Sequence, residues 1–167
     1  LDDKACIAAA EALDFLWHYN VRIGYAPAEQ VEDPNGAELY QAAEGARFTR
    51  YSELNAYLGS VFAPELAQQY AAGGYEEQYR TYIGYLAGEN DELRFGAGER
   101  GTDPLVTAQL CTEPVTQPDG SVVFGLLGLE RDADPAAGDA PVRAVWHTIR
   151  LVPAGDGWRV AEAELAV

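Results

Sequence analysis

Apolar positions in the first half of the chain recur at helical spacing. From Asp2 to about Tyr19 the sequence is Ala-rich, and Ile7, Ala10, Leu13, Leu16 and Trp17 fall on one side of a helix that Asp2 or Asp3 can cap. Ser52 is placed to cap a second helix, whose Leu54, Leu58, Val61 and Phe62 share one face. Pro64 opens a third helix at its first turn, where the missing N–H costs nothing; Leu66, Ala67 and Tyr70 continue it and Gly73-Gly74 ends it. Between the first two helices, residues 26–47 hold Pro27, Pro34, Gly36 and Gly45 among many acids and read as a long loop with little regular structure. A short helical or extended piece follows from Tyr75 to Leu86.

After residue 90 the period changes to that of strands. Glu92 to Gly96 reads as a short strand, and Leu105–Thr116 and Ser121–Arg131 read as a pair joined by the turn Pro118-Asp119-Gly120. From Val142 to Val152, Val145, His147, Ile149 and Leu151 alternate with Trp146, Thr148 and Arg150. The turn Ala154-Gly155-Asp156-Gly157 leads into a last strand from Trp158 to Leu165, and Asp132–Pro141, rich in Pro, Ala, Gly and Asp, reads as a flexible hairpin loop. Helices first and a strand meander second predict an α+β fold. One domain is expected, with N-terminal helices (about 2–86) packed on one face of a C-terminal antiparallel meander (about 92–165).

Charge narrows the class of partner. The chain carries 27 acidic against 11 basic residues in 167, a formal net charge of −16. Such a surplus repels nucleic acid and anionic lipid and favours basic partners. Hydrophobic residues make up 48%, which separates the chain from disordered acidic sequences. No apolar run approaches the ~20 residues of a membrane span, and neither the basic nor the apolar region of a signal peptide is present. With no Met, Leu1 is not a natural translation start, and the chain reads as the mature part of an exported protein, extracellular or in the cell envelope. A monomer is expected.

Candidate chemistry is sparse. Cys6 and Cys111 are the only cysteines; they could form one disulfide, but two buried thiols are the expectation. His18 and His147 are the only histidines, and neither has a metal-binding spacing. His147 on an apolar strand face reads as a core or rim residue, and a Cys111/His147 pair on neighbouring strands lacks an orienting group. Glu76-Glu77 and Glu162/Glu164 read as solvated faces, and Asp132-Ala133-Asp134 lacks the glycine and distal glutamate of a calcium loop. The run Phe95-Gly96-Ala97-Gly98-Glu99-Arg100-Gly101 is not followed by Lys-Ser/Thr and reads as an exposed loop, not a phosphate cradle. No catalytic residue, metal ligand or cofactor is expected. Tyr75, Tyr79 and Tyr82 stand at i, i+4, i+7. Read as a helical stripe, they cover a sheet; read functionally, they form an aromatic surface for a sugar or a protein.

The run Tyr51-Ser52-Glu53-Leu54-Asn55-Ala56-Tyr57-Leu58-Gly59-Ser60-Val61-Phe62-Ala63 resembles a stretch of the cell-wall DL-endopeptidase inhibitor family of Gram-positive bacteria. The Tyr-rich segment, the strand Glu92-Leu93-Arg94-Phe95 and the Gly-containing loop after it fall in similar order. The Ala-rich first helix ending in Trp17-His18-Tyr19 and the closing Gly155-Asp156-Gly157-Trp158-Arg159-Val160 also match, the latter a type common on cystatin-like and nuclear-transport-factor-like sheets. The resemblance implies an exported, non-catalytic protein that binds a peptidoglycan hydrolase of the Cys/His endopeptidase type and blocks its cleft with an acidic loop. By position that loop is Gly98-Glu99-Arg100-Gly101-Thr102-Asp103, with Glu99 and Asp103 supplying carboxylates and Gly98 and Gly101 letting the backbone enter a narrow cleft; Arg100 departs from the acidic pattern. Two other expectations belong to different classes. One is a ligand- or peptidoglycan-binding domain whose sheet pocket is lined by Trp146, Phe124 and Tyr82. The other is an enzyme on a cystatin-like sheet that uses an Asp and His147.

Overall fold

The computed structural model describes residues 3–16, 27–96, 105–131 and 142–164. It is α+β, as the change of period predicts. The chain groups into two compact units: residues 10–99, and residues 1–9 together with 100–167.

Helix α1 spans Asp3–Asp14 and widens into a π-type turn at residues 15–16. Its buried side is Ala5, Ala9, Ala12, Phe15 and Leu16, whereas Ile7 is 58% exposed and Ala10 is exposed. The expected face holds at Leu16 but not at Ile7 or Ala10, and Trp17 lies outside the described residues. A helix turns about 100° per residue, so Ile7 lies opposite Ala5, while Phe15 and Leu16, three and four residues after Ala12, flank its buried side.

In residues 10–99, strands β1 (Ala28–Val31) and β2 (Leu39–Ala42) form an antiparallel hairpin where a structureless loop was expected. β1 is exposed or half-exposed along its whole length, so it has no hydrophobic alternation to read. Its turn is organised by Asp33, whose Oδ2 accepts the N–H of Asn35 (3.0 Å) and of Ala37 (3.1 Å). Helix α2 spans Tyr51–Val61 and α3 spans Pro64–Ala71, with Pro64 in the first turn as expected. They are followed by β3 (Gly74–Glu76), β4 (Thr81–Ile83), β5 (Tyr85–Ala87) and β6 (Leu93–Gly96). The sheet order is β1-β2-β6-β5, all antiparallel, and β3–β4 is a separate hairpin. α2 and α3 pack on each other and on β5; α2 also meets β6. Leu54, Leu58 and Val61 face inward, and Phe15, Phe62 and Tyr70 form an aromatic cluster with ring centroids 5.0–5.6 Å apart.

Ser52 does not cap α2. Arg50 holds the cap position and the Glu53 carboxylate takes the N–H groups of Thr49 and Arg50, both at 3.2 Å. Ser52 donates instead, through its N–H (3.1 Å) and its hydroxyl, to Asp91 in the β5–β6 turn. A carboxylate from outside the helix thus meets its positive end. The corner between β4 and β5 is tight. Gly84 has φ +62, and a Cβ there would lie 1.9 Å from the Ala72 carbonyl oxygen.

The other unit is built on a sheet of order β11-β10-β9-β7, comprising β7 (Leu105–Cys111), β9 (Val122–Arg131), β10 (Arg143–Ala154) and β11 (Gly157–Glu164). The expected strand 105–116 is interrupted. β8 (Val115–Thr116) pairs with β9 separately, and between β7 and β8 Thr112 clasps Gly125 through its N–H (2.8 Å) and its hydroxyl (2.7 Å). The alternation in β10 is as predicted. His147, Ile149 and Leu151 are buried with Val122, Phe124 and Val160, while Trp146 is 53% exposed on the opposite face. The Asp132–Pro141 loop lies outside the described residues.

Candidate functional site

Gly98, Glu99, Arg100, Gly101 and Asp103 lie outside the described residues. β6 ends at Gly96, the last described residue before them. Gly96 is packed against β4, since a Cβ on it would stand 2.3 Å from the Tyr82 carbonyl oxygen. The tyrosine hairpin is therefore seated where the chain leaves β6.

The tyrosines are not a helical stripe. Tyr75 and Tyr82 are cross-strand partners in β3–β4, their rings tilted at 57° with centroids 5.2 Å apart. Tyr79 sits in the connecting turn and is 68% exposed, next to Arg80, which takes φ +50. The i, i+7 coincidence arises because two strands and a four-residue turn return the chain to the same level. Tyr82 donates its hydroxyl to Asp33 Oδ1 (2.5 Å) and accepts from the Asn35 amide (3.2 Å). These bonds tie the hairpin to the β1–β2 turn. Burial pushes the Asp33 carboxyl up, but the bonds from Tyr82, Ala37 and Asn35 outweigh it and leave the group below the usual carboxylate range. The same bond to Asp33, assisted by burial, raises the Tyr82 phenol. Tyr82 is thus largely a structural tether. Tyr79 is the member of the trio free to meet a partner.

His147 is buried, at 2% exposure, in the apolar face of β10. Cys111 and His147 do not lie on neighbouring strands, because β9 runs between β7 and β10 and both residues pair with Leu126. Two inter-strand steps separate their backbones by roughly 10 Å. Cys6 is exposed and free, contrary to the expectation of a buried thiol. Phe124 and Trp146 occupy opposite faces of the sheet, so they do not line one pocket. Among the described residues, no group of three or more His, Cys, Asp or Glu comes together to hold a metal ion.

A polar cluster on the exposed face of the C-terminal sheet was not legible in the sequence. Arg150 donates to Asp119 Oδ2 (2.7 Å), to Glu162 Oε1 (2.8 Å) and, through Nε, to the Ser121 hydroxyl (3.2 Å). The Ser121 hydroxyl and N–H in turn donate to Asp119 Oδ1, at 2.6 and 2.9 Å. These two bonds, then the Arg150 guanidinium, hold the Asp119 carboxyl down at about 2. The cluster lines an open groove of about 540 Å³ with Gln117, Pro118 and Val123. Its members come from β10, β11 and the turn before β9, 43 positions apart at the extremes in numbering from 119 to 162, so only pairing brings them together. A smaller groove, about 360 Å³, opens among Gln41, Glu44, Arg50, Asn90 and Glu92 in the other unit.

No protein-family model and no solved structure matches the chain. It is similar to an uncharacterized protein of Staphylococcus saprophyticus, with 28% identity over 116 residues, or 68% of this chain. The match covers 30% of that protein, so the chain spans about three tenths of the length of the relative it matches.

Proposed function

We propose that this is an exported, non-catalytic binding protein that restrains a peptidoglycan hydrolase of the Cys/His endopeptidase type by occluding its cleft. The observation that carries the reading is the disposition of charge. Lys4, Arg47, Arg94 and Arg150 each lie against a carboxylate of their own unit, at 2.7–4.0 Å. Glu29, Glu32, Glu38, Glu44, Glu65, Glu77, Glu89 and Glu113 stand exposed. These cations are engaged internally while these glutamates face solvent, on a chain whose formal net charge is −16. Such a field steers a basic partner and accelerates encounter. The burial of His147 favours a packing role over general-base catalysis.

Glu99 and Asp103 are the carboxylates assigned to the cleft, where an imidazolium would attract them. The test is turnover of a purified Cys/His DL-endopeptidase on cell-wall substrate with increasing wild-type protein or the Glu99→Lys/Asp103→Lys variant. Inhibition by the wild type, weakened about tenfold or more in the variant and by rising salt, is expected. No inhibition by the wild type at micromolar concentration would overturn the proposal; equal inhibition by both would transfer the contact from the loop to the hairpin at Tyr79.

A further inference from the structure

The exposed face of β9 and β10 carries a half-exposed indole seated on a glycine. Trp146 pairs with Leu127, yet its indole leans diagonally across the strand boundary onto Gly125; a Cβ at 125 would meet its ring atoms at 2.2–3.0 Å. One side of the indole therefore rests on bare backbone, and 53% of the residue remains exposed. Strand alternation and the register of Thr148 with Gly125 and Arg150 with Val123 put Trp146, Thr148 and Arg150 on this same face. The lean of the indole is toward the Arg150 end, where the 540 Å³ groove opens. Four residues of strand, roughly 13 Å, connect the two.

We propose that this face is a glycan-binding site, with Trp146 as the stacking platform and the Asp119–Arg150–Glu162 cluster as the hydrogen-bonding end. A pyranose with equatorial hydroxyls presents an apolar face of C–H groups and a polar rim. That is the shape an open indole beside fixed polar groups accommodates. The Asp119 and Glu162 side chains are 55% and 61% exposed but are held in place by one guanidinium, so their outward lone pairs are preorganised acceptors for hydroxyls. Charge selects among glycans. The net charge of −16 disfavours acidic polymers and leaves neutral or amine-bearing chains. The 13 Å span calls for an oligosaccharide rather than a single sugar. The proposal does not rest on hydrolase inhibition.

The experiment is isothermal titration of the full chain with chitohexaose and cellohexaose, with polygalacturonate as the acidic control. Binding of at least one neutral hexamer is expected, weakened tenfold or more in Trp146→Ala and at least partly retained in Trp146→Phe. Gly125→Ala, which must displace the indole, should weaken binding while far-UV circular dichroism stays unchanged. Arg150→Gln should also weaken it, by loosening both carboxylates. Failure of the wild type to bind either hexamer, or equal affinity in Trp146→Ala, would overturn the proposal. So would loss in Trp146→Ala of a protein partner's binding without any glycan binding, which would make the face a protein interface.

Discussion

Replacing Phe15 by Ala tests the helix phase that the sequence did not reveal. Phe15 is fully buried, and its ring lies 5.6 Å from Phe62, 5.5 Å from Tyr70 and 6.3 Å from Tyr57, the first of these edge-on. Deleting a buried phenyl ring removes its transfer free energy and leaves a cavity, which together cost about 3–5 kcal/mol. Each aromatic pair is worth about 0.5–1.5 kcal/mol beyond buried area, so three neighbours place the loss toward the upper part of that range. The cluster draws on the end of α1, on α2 and on α3, so no single helix can shift to fill the hole. Ile7 is the control. The apolar spacing alone made it a core residue, but it is 58% exposed. Ile7→Ala should change stability by about 0.5 kcal/mol or less, since the lost partial burial is offset by the better helix propensity of Ala. Urea unfolding followed by far-UV circular dichroism, with near-UV signal for the aromatic cluster, measures both. A loss below about 1 kcal/mol for Phe15→Ala, or a larger loss for Ile7→Ala, would refute the assigned phase.

Gly84→Ala should destabilise by more than about 3 kcal/mol, because a Cβ there meets the Ala72 carbonyl oxygen at 1.9 Å in addition to the left-handed cost of about 1–2 kcal/mol; a thermal melt within a few degrees of wild type would contradict this. Asp119 has a depressed carboxyl, so its contribution is present above the unfolded carboxylate value and is lost as pH falls from about 4 through about 2; Asp119→Asn should flatten acid unfolding in that window, and an unchanged acid limb would count against the bond set at Ser121 and Arg150.

Periodicity carried the reading where one face of an element is buried and the other wet. β10 is such a case, and so are α2, with Leu54, Leu58 and Val61 inward, and α3 with Pro64 at its start. It failed where the small residue is the buried one. In α1 three alanines form most of the core face, while the larger Ile7 points out, so hydrophobic size misplaced Ile7. It failed again in β1, whose half-wet residues carry no alternation, and in the tyrosine hairpin, where a four-residue turn mimicked helical spacing. Capping chemistry misled at Ser52 because the carboxylate that meets α2 comes from Asp91, 39 positions away. The Arg150 cluster has no local signature for the same reason. What the sequence does hold is Gly125 on a strand whose neighbour carries Trp146, and a glycine beneath an aromatic is a recurrent way to fill an open strand position. The register needed to connect them is a property of pairing.

Charge and aromatic exposure make separable contributions to any complex this protein forms. The acid surplus acts at long range: it raises the encounter rate with a basic partner and is screened beyond about 8 Å at physiological ionic strength. It supplies little residence time, because exposed carboxylates at an interface rim are worth about 1 kcal/mol or less each. Residence requires desolvated aromatic surface, and among the described residues the exposed large aromatics are Tyr79 in one unit and Trp146 in the other. The two are on different units, and only Trp146 stands on a sheet with a fixed polar cluster beside it. A protein partner engaged through the loop at Glu99 and Asp103, or through the hairpin at Tyr79, and a glycan engaged through the sheet therefore need not compete for the same residues. The salt dependence of association belongs to the first and the Trp146 dependence to the second. Measuring both on one preparation separates them: a Trp146→Ala protein that loses the glycan but keeps a salt-sensitive hydrolase contact places the two activities on different faces.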